Sequence, residues 1–591
     1  MINKYPGTCG CGERVAAGDG EAYRANSGRW AVRCAACQAT PEALNTAGYS
    51  PTAPARTSAL APAQGDAYTL LSGHPASEYQ AAVFDHFRYG RGSLIVEAGA
   101  GSGKTTSLKN AIRYLPESAH VQLLAFGRDP AAELKAAVAE IAEKDAGVRH
   151  YRNVRAGTFH SVCMGAVRKY LNLPDAQVKV DSGKCREILK GRLGETLEGQ
   201  EAFAQYAPFV TALVGFAKGE GIGCLVPDTE ERWWDLVEHH DLYLESTEAE
   251  PARGVAMARQ LLGWSNEAAA TGWLDFDDQL YCVILWKLRL WQNDVVCVDE
   301  CQDTNAVRRA IARLLLKPNG RLVAVGDEKQ AIFGFTGAST DAVDLIAKEF
   351  NCRRLPLMVS YRCARAIVER AQTWMPALEA APGAPEGEVV DDLPLAVTLA
   401  RLTAKDAVLC RQTAPLVSIA YGLIARGRPC RILGKEIGEG LVNLVQAQRA
   451  RGIDRLVEKL ETWCSREMAR FIAKGNERRA EAVKDRVDCL LVIIEALPEN
   501  GRTIPALVAK ITSMFSDDKD AGVLTLATVH KVKGLEYPTV AILRPELMPS
   551  KAARLDWQYA QEMNLMGVAA TRAKTTLIYV REEDMQIEVV K

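Results

Sequence analysis

The chain has no apolar run of the roughly 18 to 20 residues that a membrane-spanning helix needs. Its first residues, MINKYPGTCGCG, lack the apolar stretch of a secretory leader, so a cytoplasmic protein without a membrane anchor is expected. Net charge is also scarce: 72 Lys and Arg against 73 Asp and Glu leave −1. A global basic excess, the usual footprint of a nucleic-acid binder, is thereby excluded, and any strand-binding surface must be a local groove. Clustered cysteine is rare too. Of sixteen cysteines, twelve stand singly in apolar segments, as at Cys282, Cys297 and Cys410, where a small buried thiol rather than a disulfide is expected. No nuclease pattern is present.

What the chain does have is length. At 591 residues it exceeds one compact core, so several domains are expected. The four remaining cysteines form two close pairs, Cys9 with Cys11 and Cys34 with Cys37. Two such knuckles about 20 residues apart match a zinc ribbon, in which each pair supplies two thiolates to one tetrahedral Zn²⁺. Residues 1–40 are therefore expected to form a zinc-ribbon-like module whose folding depends on the metal. Residues 41–75, rich in Ala, Pro, Thr and Ser, read as a linker.

From residue 76 the texture changes to short β-branched runs alternating with longer amphipathic stretches, the pattern of βα units and a parallel sheet. SLIVEA, HVQLLAF, DVVCV and RLVAVGD are the clearest strands of a first α/β lobe, at 76–165 and 266–350. DAVLC, PCRIL, PTVAIL and TTLIYV mark a second, at 351–439 and 516–591. Two helical insertions interrupt them, at 166–265 and 440–515; the second carries Ile453, Leu456, Val457, Leu460, Trp463 and Cys464 at three- and four-residue steps. Trp233 and Trp234, in the first insertion, are expected to be core.

The strand ending at Glu97 runs into AGAGSGKTT, Ala98 to Thr106, and then into a helical stretch. A glycine-rich turn between strand and helix lets the backbone N–H groups of Ala98, Gly99, Ala100, Gly101, Ser102, Gly103 and their successors surround phosphate oxygens at the positive helix end. Lys104 then reaches the β and γ phosphates of ATP and Thr105 holds Mg²⁺, with Thr106 counted in the same ATP-binding segment. Ala98 stands where the strict pattern has glycine. A second element, DVVCVDECQD, delivers Asp299 and Glu300 at the carboxyl end of an apolar strand. Asp299 suits Mg²⁺ coordination, and Glu300 suits the base that activates the attacking water.

These elements stand in an ordered set that resembles the UvrD/Rep/PcrA family of superfamily 1 helicases, over about residues 76 to 580 and weakly in both insertions. The resemblance implies two RecA-like P-loop NTPase lobes of α/β class. It assigns Gln80, in ASEYQAAV, to adenine, and Phe126, in LLAFGRDPAAEL, to the DNA track. GTFHS brings Thr158 and His160 to DNA, and LDFDDQL is similar to the segment before the DE strand. In VGDEKQAIFGFTGA, Gln330 is implied to sense the γ-phosphate, while Phe333 and Phe335 stack on bases. SYRC places Tyr361 on adenine and Arg362 on the γ-phosphate; TVHKVKGLEYPTV places Thr528 and His530 on DNA and Glu536 on the ribose; VAATRAK supplies Arg572 as a second arginine finger.

The expected activity is ATP-driven movement along single-stranded DNA with unwinding of tailed duplexes. The form KGLE, Lys533 to Glu536, resembles the 3'-to-5' branch. A monomer is expected, with a protein partner met through the zinc module. Two other readings stay open at this point: a DNA-dependent ATPase subunit that displaces proteins without unwinding alone, and a nucleotide-controlled nucleic-acid clamp with a zinc-ribbon recognition module.

Overall fold

The computed structural model describes residues 68–144, 151–194, 196–240, 242, 244, 250–332, 341–473, 477–515, 522–553 and 555–581, with the short strands 7–8, 14–15, 21–24 and 30–33. Contacts divide the chain into one unit at Ala63–Tyr361 and another formed by Met1–Pro62 with Arg362–Lys591. Each is α/β, built on a six-stranded parallel sheet flanked by helices.

In the first unit the strands are β1 (Leu94–Ala98), β2 (Val121–Ala125), β3 (Val154–Thr158), β4 (Asn293–Val298), β5 (Leu316–Gly326) and β6 (Arg353–Leu357), in spatial order β6-β1-β5-β4-β2-β3. Every pairing is parallel. Helices cover both faces, which is why strands such as VQLLA are apolar throughout, with all five residues buried. The expected strands are all present. The structure adds β3 and β6, whose sequences VRAGT and RRLPL carry too much charge, Gly and Pro to stand out by pattern.

Helix α1 (Glu78–Tyr89) is started by a reciprocal cap: the Ser77 hydroxyl accepts from Gln80 N–H and the Gln80 side chain accepts from Ser77 N–H. Helices α2 (Lys104–Ala111), α3 (Arg128–Lys144) and α4 (Phe159–Leu171) follow β1, β2 and β3. The first insertion is helical as expected, with α5 (Lys184–Leu193), α6 (Leu197–Glu220), α7 (Glu230–His239) and α8 (Pro251–Ala270), plus a two-residue strand, Lys179–Val180, paired with Trp273–Leu274. Tyr206, Phe209, Leu213, Trp233 and Leu261 pack together in its core. Trp233 is fully buried, its indole N–H donating to Asp228 at 2.7 Å, so core is the correct reading for it. Helices α9 (Asp278–Leu285), α10 (Ala306–Leu314) and α11 (Ala342–Glu349) complete the unit.

The second unit orders its strands β7-β12-β11-β8-β10-β9, where β7 is Glu388–Leu393, β8 Ala407–Cys410, β9 Cys430–Ile432, β10 Leu524–Thr528, β11 Tyr537–Ile542 and β12 Ala573–Val580. Its insertion centres on the antiparallel pair Ile453–Ala473 and Glu477–Glu495, with buried Leu456, Leu460 and Cys464 on the anticipated face. At the N-terminus, Gly7–Thr8 pairs with Arg14–Val15 and Glu21–Arg24 with Trp30–Arg33, both antiparallel. Cys9, Cys11, Cys34 and Cys37 lie outside the described residues. No helix among the described residues is long and apolar enough to cross a membrane.

Candidate nucleotide site and nucleic-acid surface

In an open parallel sheet, ligands collect beyond the carboxyl ends of the strands. The register aligns those ends: Ala98 faces Leu357, Glu97 faces Gly326, Val298 faces both Ala324 and Leu124, and Ala125 faces Thr158. The turn after β1, the acids after β4 and Asp327 after β5 are therefore brought side by side.

The turn from Gly99 to Gly103 is held by Gly99 N–H donating to Leu357 O at 2.8 Å and Tyr361 N–H donating to Gly101 O at 2.9 Å. Gly101 and Gly103 sit at φ of 72° and 77°, left-handed conformations that favour glycine. Gly103 caps α2 without a side chain, leaving the first N–H groups of the helix free to face an anion. Lys104 Nζ is 2.9 Å from Glu300 Oε1, and Thr105 Oγ1 donates to Asp299 Oδ2 at 3.3 Å. The residues that the sequence pattern assigns to Mg²⁺ and phosphate therefore meet in one place.

Burial alone would push the Lys104 ammonium down, but the carboxylates of Glu300, Asp327 and Asp299 outweigh it and hold Lys104 above its ordinary value. Burial, followed by the neighbouring Glu300, pushes Asp299 up to about 6 against the opposing pull of Lys104. Asp327 is raised mainly by burial. The site is thus rich in carboxylates in want of a cation, a chemistry that fits Mg²⁺.

Glu300 itself adopts φ 52°, a strained conformation for a residue with a side chain. A chain of hydrogen bonds runs on from it. Gln302 Nε2 donates to Glu300 Oε2 at 2.5 Å, Asp327 N–H donates to Gln302 Oε1 at 3.0 Å, and Gln330 Nε2 donates to Asp327 Oδ2 at 2.6 Å. Gly326 leaves room at this crossing, since a Cβ there would lie 2.5 Å from Cys301 Sγ and 2.7 Å from Gln302 Oε1. The sequence reading singled out Glu300 and Gln330 but assigned no role to Gln302 or Asp327, which join them.

Gln80 is buried with its side chain committed to Ser77 N–H and to Ser107, at 3.2 Å. It lies against the P-loop, 3.9 Å from where a Cβ on Gly103 would stand. Tyr361 is half-exposed, its backbone on the same turn.

A second cluster lies further along the same strand ends. Thr158 caps α4 in a reciprocal cap with Ser161. The His160 ring packs on Phe276 with centroids 4.0 Å apart and the planes tilted by 36°, and the Arg308 guanidinium lies 4.3 Å from the Phe126 ring centre. Burial, then the charge of Arg308, lowers the His160 imidazole to about 4, so the ring is neutral near pH 7. Phe276 is 52% exposed although its neighbours Asp275 and Asp278 are buried. Those two acids cap each other's N–H groups at 2.8 Å and meet two fully buried lysines of the insertion. Lys184 Nζ is 2.6 Å from Asp278 Oδ2; Lys218 Nζ is 2.7 Å from Asp278 Oδ1 and also bonds Asp275. Phe276 and Arg308 had no role in the sequence reading. The signal for Phe276 was an aromatic set among acids in LDFDDQL, a run too polar for a core strand.

In the second unit Arg362 Nε is 2.6 Å from Glu536 Oε2, and Lys574 Nζ is 2.5 Å from Glu536 Oε1. Burial pushes the Glu536 carboxyl up, but these two cations outweigh it and hold it below the ordinary range. Arg572 is buried, donating to Val568 O at 3.1 Å and Leu535 O at 3.3 Å. Thr528 ends β10, and His530 lies in the helical turn after it. Phe333 and Phe335 lie outside the described residues. Among the described residues no group of three or more His, Cys, Asp or Glu could hold a metal ion by itself.

A glycine turn that opens a helix, with paired acids on a neighbouring parallel strand, is the site of a P-loop nucleotide-binding protein. Residues 78–351 match the UvrD/REP helicase N-terminal domain and residues 447–583 the UvrD-like helicase C-terminal domain. The chain belongs to the UvrD-like helicase family. It is 28% identical over 296 residues to the "Probable DNA helicase II homolog" of Mycoplasma capricolum, covering 47% of this chain and 38% of that protein. It is 26% identical over 302 residues to the "ATP-dependent DNA helicase PcrA" of Leuconostoc citreum, covering 47% and 36%. With the "DNA helicase IV" of Escherichia coli it shares 26% identity over 355 residues, 54% and 50% of the two chains. The chain thus spans half or less of the length of these curated relatives.

Proposed function

We propose that the chain is an ATP-dependent DNA helicase that hydrolyses ATP to move along single-stranded DNA in the 3'-to-5' direction and to unwind tailed duplexes. The observation that carries this reading is the meeting of Lys104 with Glu300 at 2.9 Å and of Thr105 with Asp299 at 3.3 Å on the turn after β1. With ATP bound, Lys104 leaves Glu300 for the phosphates, which frees that carboxylate to take a proton from the attacking water. Thr105 and Asp299 would hold Mg²⁺, which when bound would supply positive charge to the phosphate oxygens. Gln330 reports the state of the phosphate end to Glu300 through Asp327 and Gln302. Gln80 and Tyr361 receive the adenine and Glu536 the ribose. The planar forks of Arg362 and Arg572 suit the charge spread over the transferred phosphoryl group.

For the strand, Phe126, Thr158 and His160, with Phe276 and Arg308 beside them, form one set of contacts, and Thr528 and His530 another; Phe333 and Phe335 add base stacking. Aromatic faces tolerate every base, as a motor indifferent to sequence requires. A neutral His160 contacts the strand by stacking and hydrogen bonding rather than by charge.

The N-terminal segment is assigned a Zn²⁺ held by Cys9, Cys11, Cys34 and Cys37. It is supported by two short antiparallel pairs, with cysteines following directly after Thr8 and Arg33 in sequence. This module would serve a protein partner, and the motor would act as a monomer. Strand separation on 3'-tailed and 5'-tailed duplexes tests the function: unwinding of the 3'-tailed duplex alone is expected. Unwinding of the 5'-tailed duplex alone would overturn the direction, and unwinding of neither would overturn the helicase reading.

A further inference from the structure

A cavity of about 370 Å³ opens on the first unit, lined by β2, the edge strand β3, α4 and the loop before β4. Its rim carries three cations, Arg155 on β3, Lys169 on α4 and Arg289 on the loop, and one large aromatic, Trp291. No carboxylate lines it. Each of the three cations is exposed. The nearest acid in sequence to Trp291, Asp294, is already taken by Lys317 at 2.7 Å and by His120 N–H at 2.9 Å. Trp291 is 61% exposed, and Arg155 lies 5.5 Å from its ring centre, which orients the indole while leaving most of it open.

A single arginine on an edge strand guards against unwanted strand pairing. That purpose explains neither the second and third cations across the cavity nor the exposed tryptophan. Like charges converging on one concave space repel one another unless an anion joins them. An open indole beside them offers a flat apolar face. Phosphate with an attached base has both features.

The position of the cavity decides which phosphate. Gly157 and Ser161 line it, and they flank Thr158 and His160 in the segment assigned to the strand. Along α4, Lys169 lies eight residues beyond Ser161, about 12 Å at the helical rise. The cavity therefore begins where that contact segment ends.

We propose that Arg155, Lys169, Arg289 and Trp291 form a further nucleic-acid site, which takes the phosphates and one base of the single strand next after those held at Thr158 and His160. The proposal rests on the strand-binding reading above. It makes the footprint on the first unit longer than the helicase motifs alone imply, and it places the additional affinity in charge and stacking without base identity.

The test is fluorescence anisotropy of full-length protein with labelled single-stranded oligothymidylates of graded length, titrated between about 50 and 200 mM salt. The proteins compared are the natural chain, the triple variant Arg155→Ala/Lys169→Ala/Arg289→Ala, and Trp291→Ala. Three phosphate contacts at about 0.7 each should make the salt dependence of log K shallower by about 2 in the triple variant, and weaken long oligonucleotides tenfold or more at about 0.1 M salt. The shortest oligonucleotides that bind should be affected little. Trp291→Ala should weaken long oligonucleotides by at least about fivefold with the salt slope unchanged. ATP hydrolysis without DNA should be the same in all three, which certifies the fold. Natural-like affinity and slope at every length would overturn the site while leaving the strand-binding reading intact. Equal losses at short and long lengths would overturn its place beyond Thr158 and His160. Polyglutamate bound by the natural chain and not by the triple variant, without displacing the DNA, would assign the cavity to an acidic peptide instead. Failure of the natural chain to bind any single strand would bring down the function reading and the site with it.

Discussion

Lys104 Nζ lies 2.9 Å from Glu300 Oε1, so the cation we assign to phosphate holds the carboxylate we assign to the attacking water. On the proposed function, a bound nucleotide draws Lys104 away from this pairing and releases Glu300. Glu300→Gln keeps the size and the Gln302 neighbour but cannot accept a proton. We expect turnover to fall by about 10²- to 10⁴-fold while ATP and DNA binding persist. Single-turnover hydrolysis with parallel binding titrations checks this, and substantial remaining hydrolysis would remove Glu300 from the role of base.

Gln302 and Asp327 join Glu300 to Gln330 and touch no nucleotide in this account. Gln302→Ala should lower kcat, with ATP affinity little changed, because it cuts the link rather than a binding contact. Steady-state kinetics separate the two parameters. An equal rise in KM with unchanged kcat would mean that Gln302 serves binding.

The pair of buried lysines that meet Asp275 and Asp278 should be costly to disturb. Lys218→Met leaves Asp275 and Asp278 with one cation in place of two, and a buried charge deprived of its partner costs about 3–5 kcal/mol. Urea unfolding measures the loss. A change near zero would show that water reaches the cluster.

His160 sets a pH dependence whose sign follows from burial. Its folded value, about 4, lies below the ordinary value near 6.5, so the stability associated with the neutral ring is complete above about 6.5 and drains away as pH falls toward 4. His160→Gln should flatten the fall in Tm across that window. An unchanged slope would place the acid sensitivity elsewhere.

The P-loop and the DE pair were legible because their chemistry lies in contiguous residues: a glycine turn and a strand end each announce themselves within ten positions. The apolar strands were legible for the same reason. Glu388–Leu393 and Arg353–Leu357 were not, because their polar residues hide a strand whose place is decided by neighbours far away in sequence. Lys184 and Lys218 stand in helical stretches that carry no local signal of their burial. They are buried because two aspartates, more than 50 positions later, fold back onto them. The joining roles of Gln302 and Asp327 were invisible for the same reason, since each depends on strands brought side by side by the sheet.

Coupling of ATP hydrolysis to a single strand is the property on which the proposed function stands, and steady-state hydrolysis by the full chain with and without single-stranded DNA measures it. A low rate alone and a rate that rises and saturates as single-stranded DNA is added are expected, both abolished by Lys104→Ala. A rate indifferent to DNA at every concentration would contradict it.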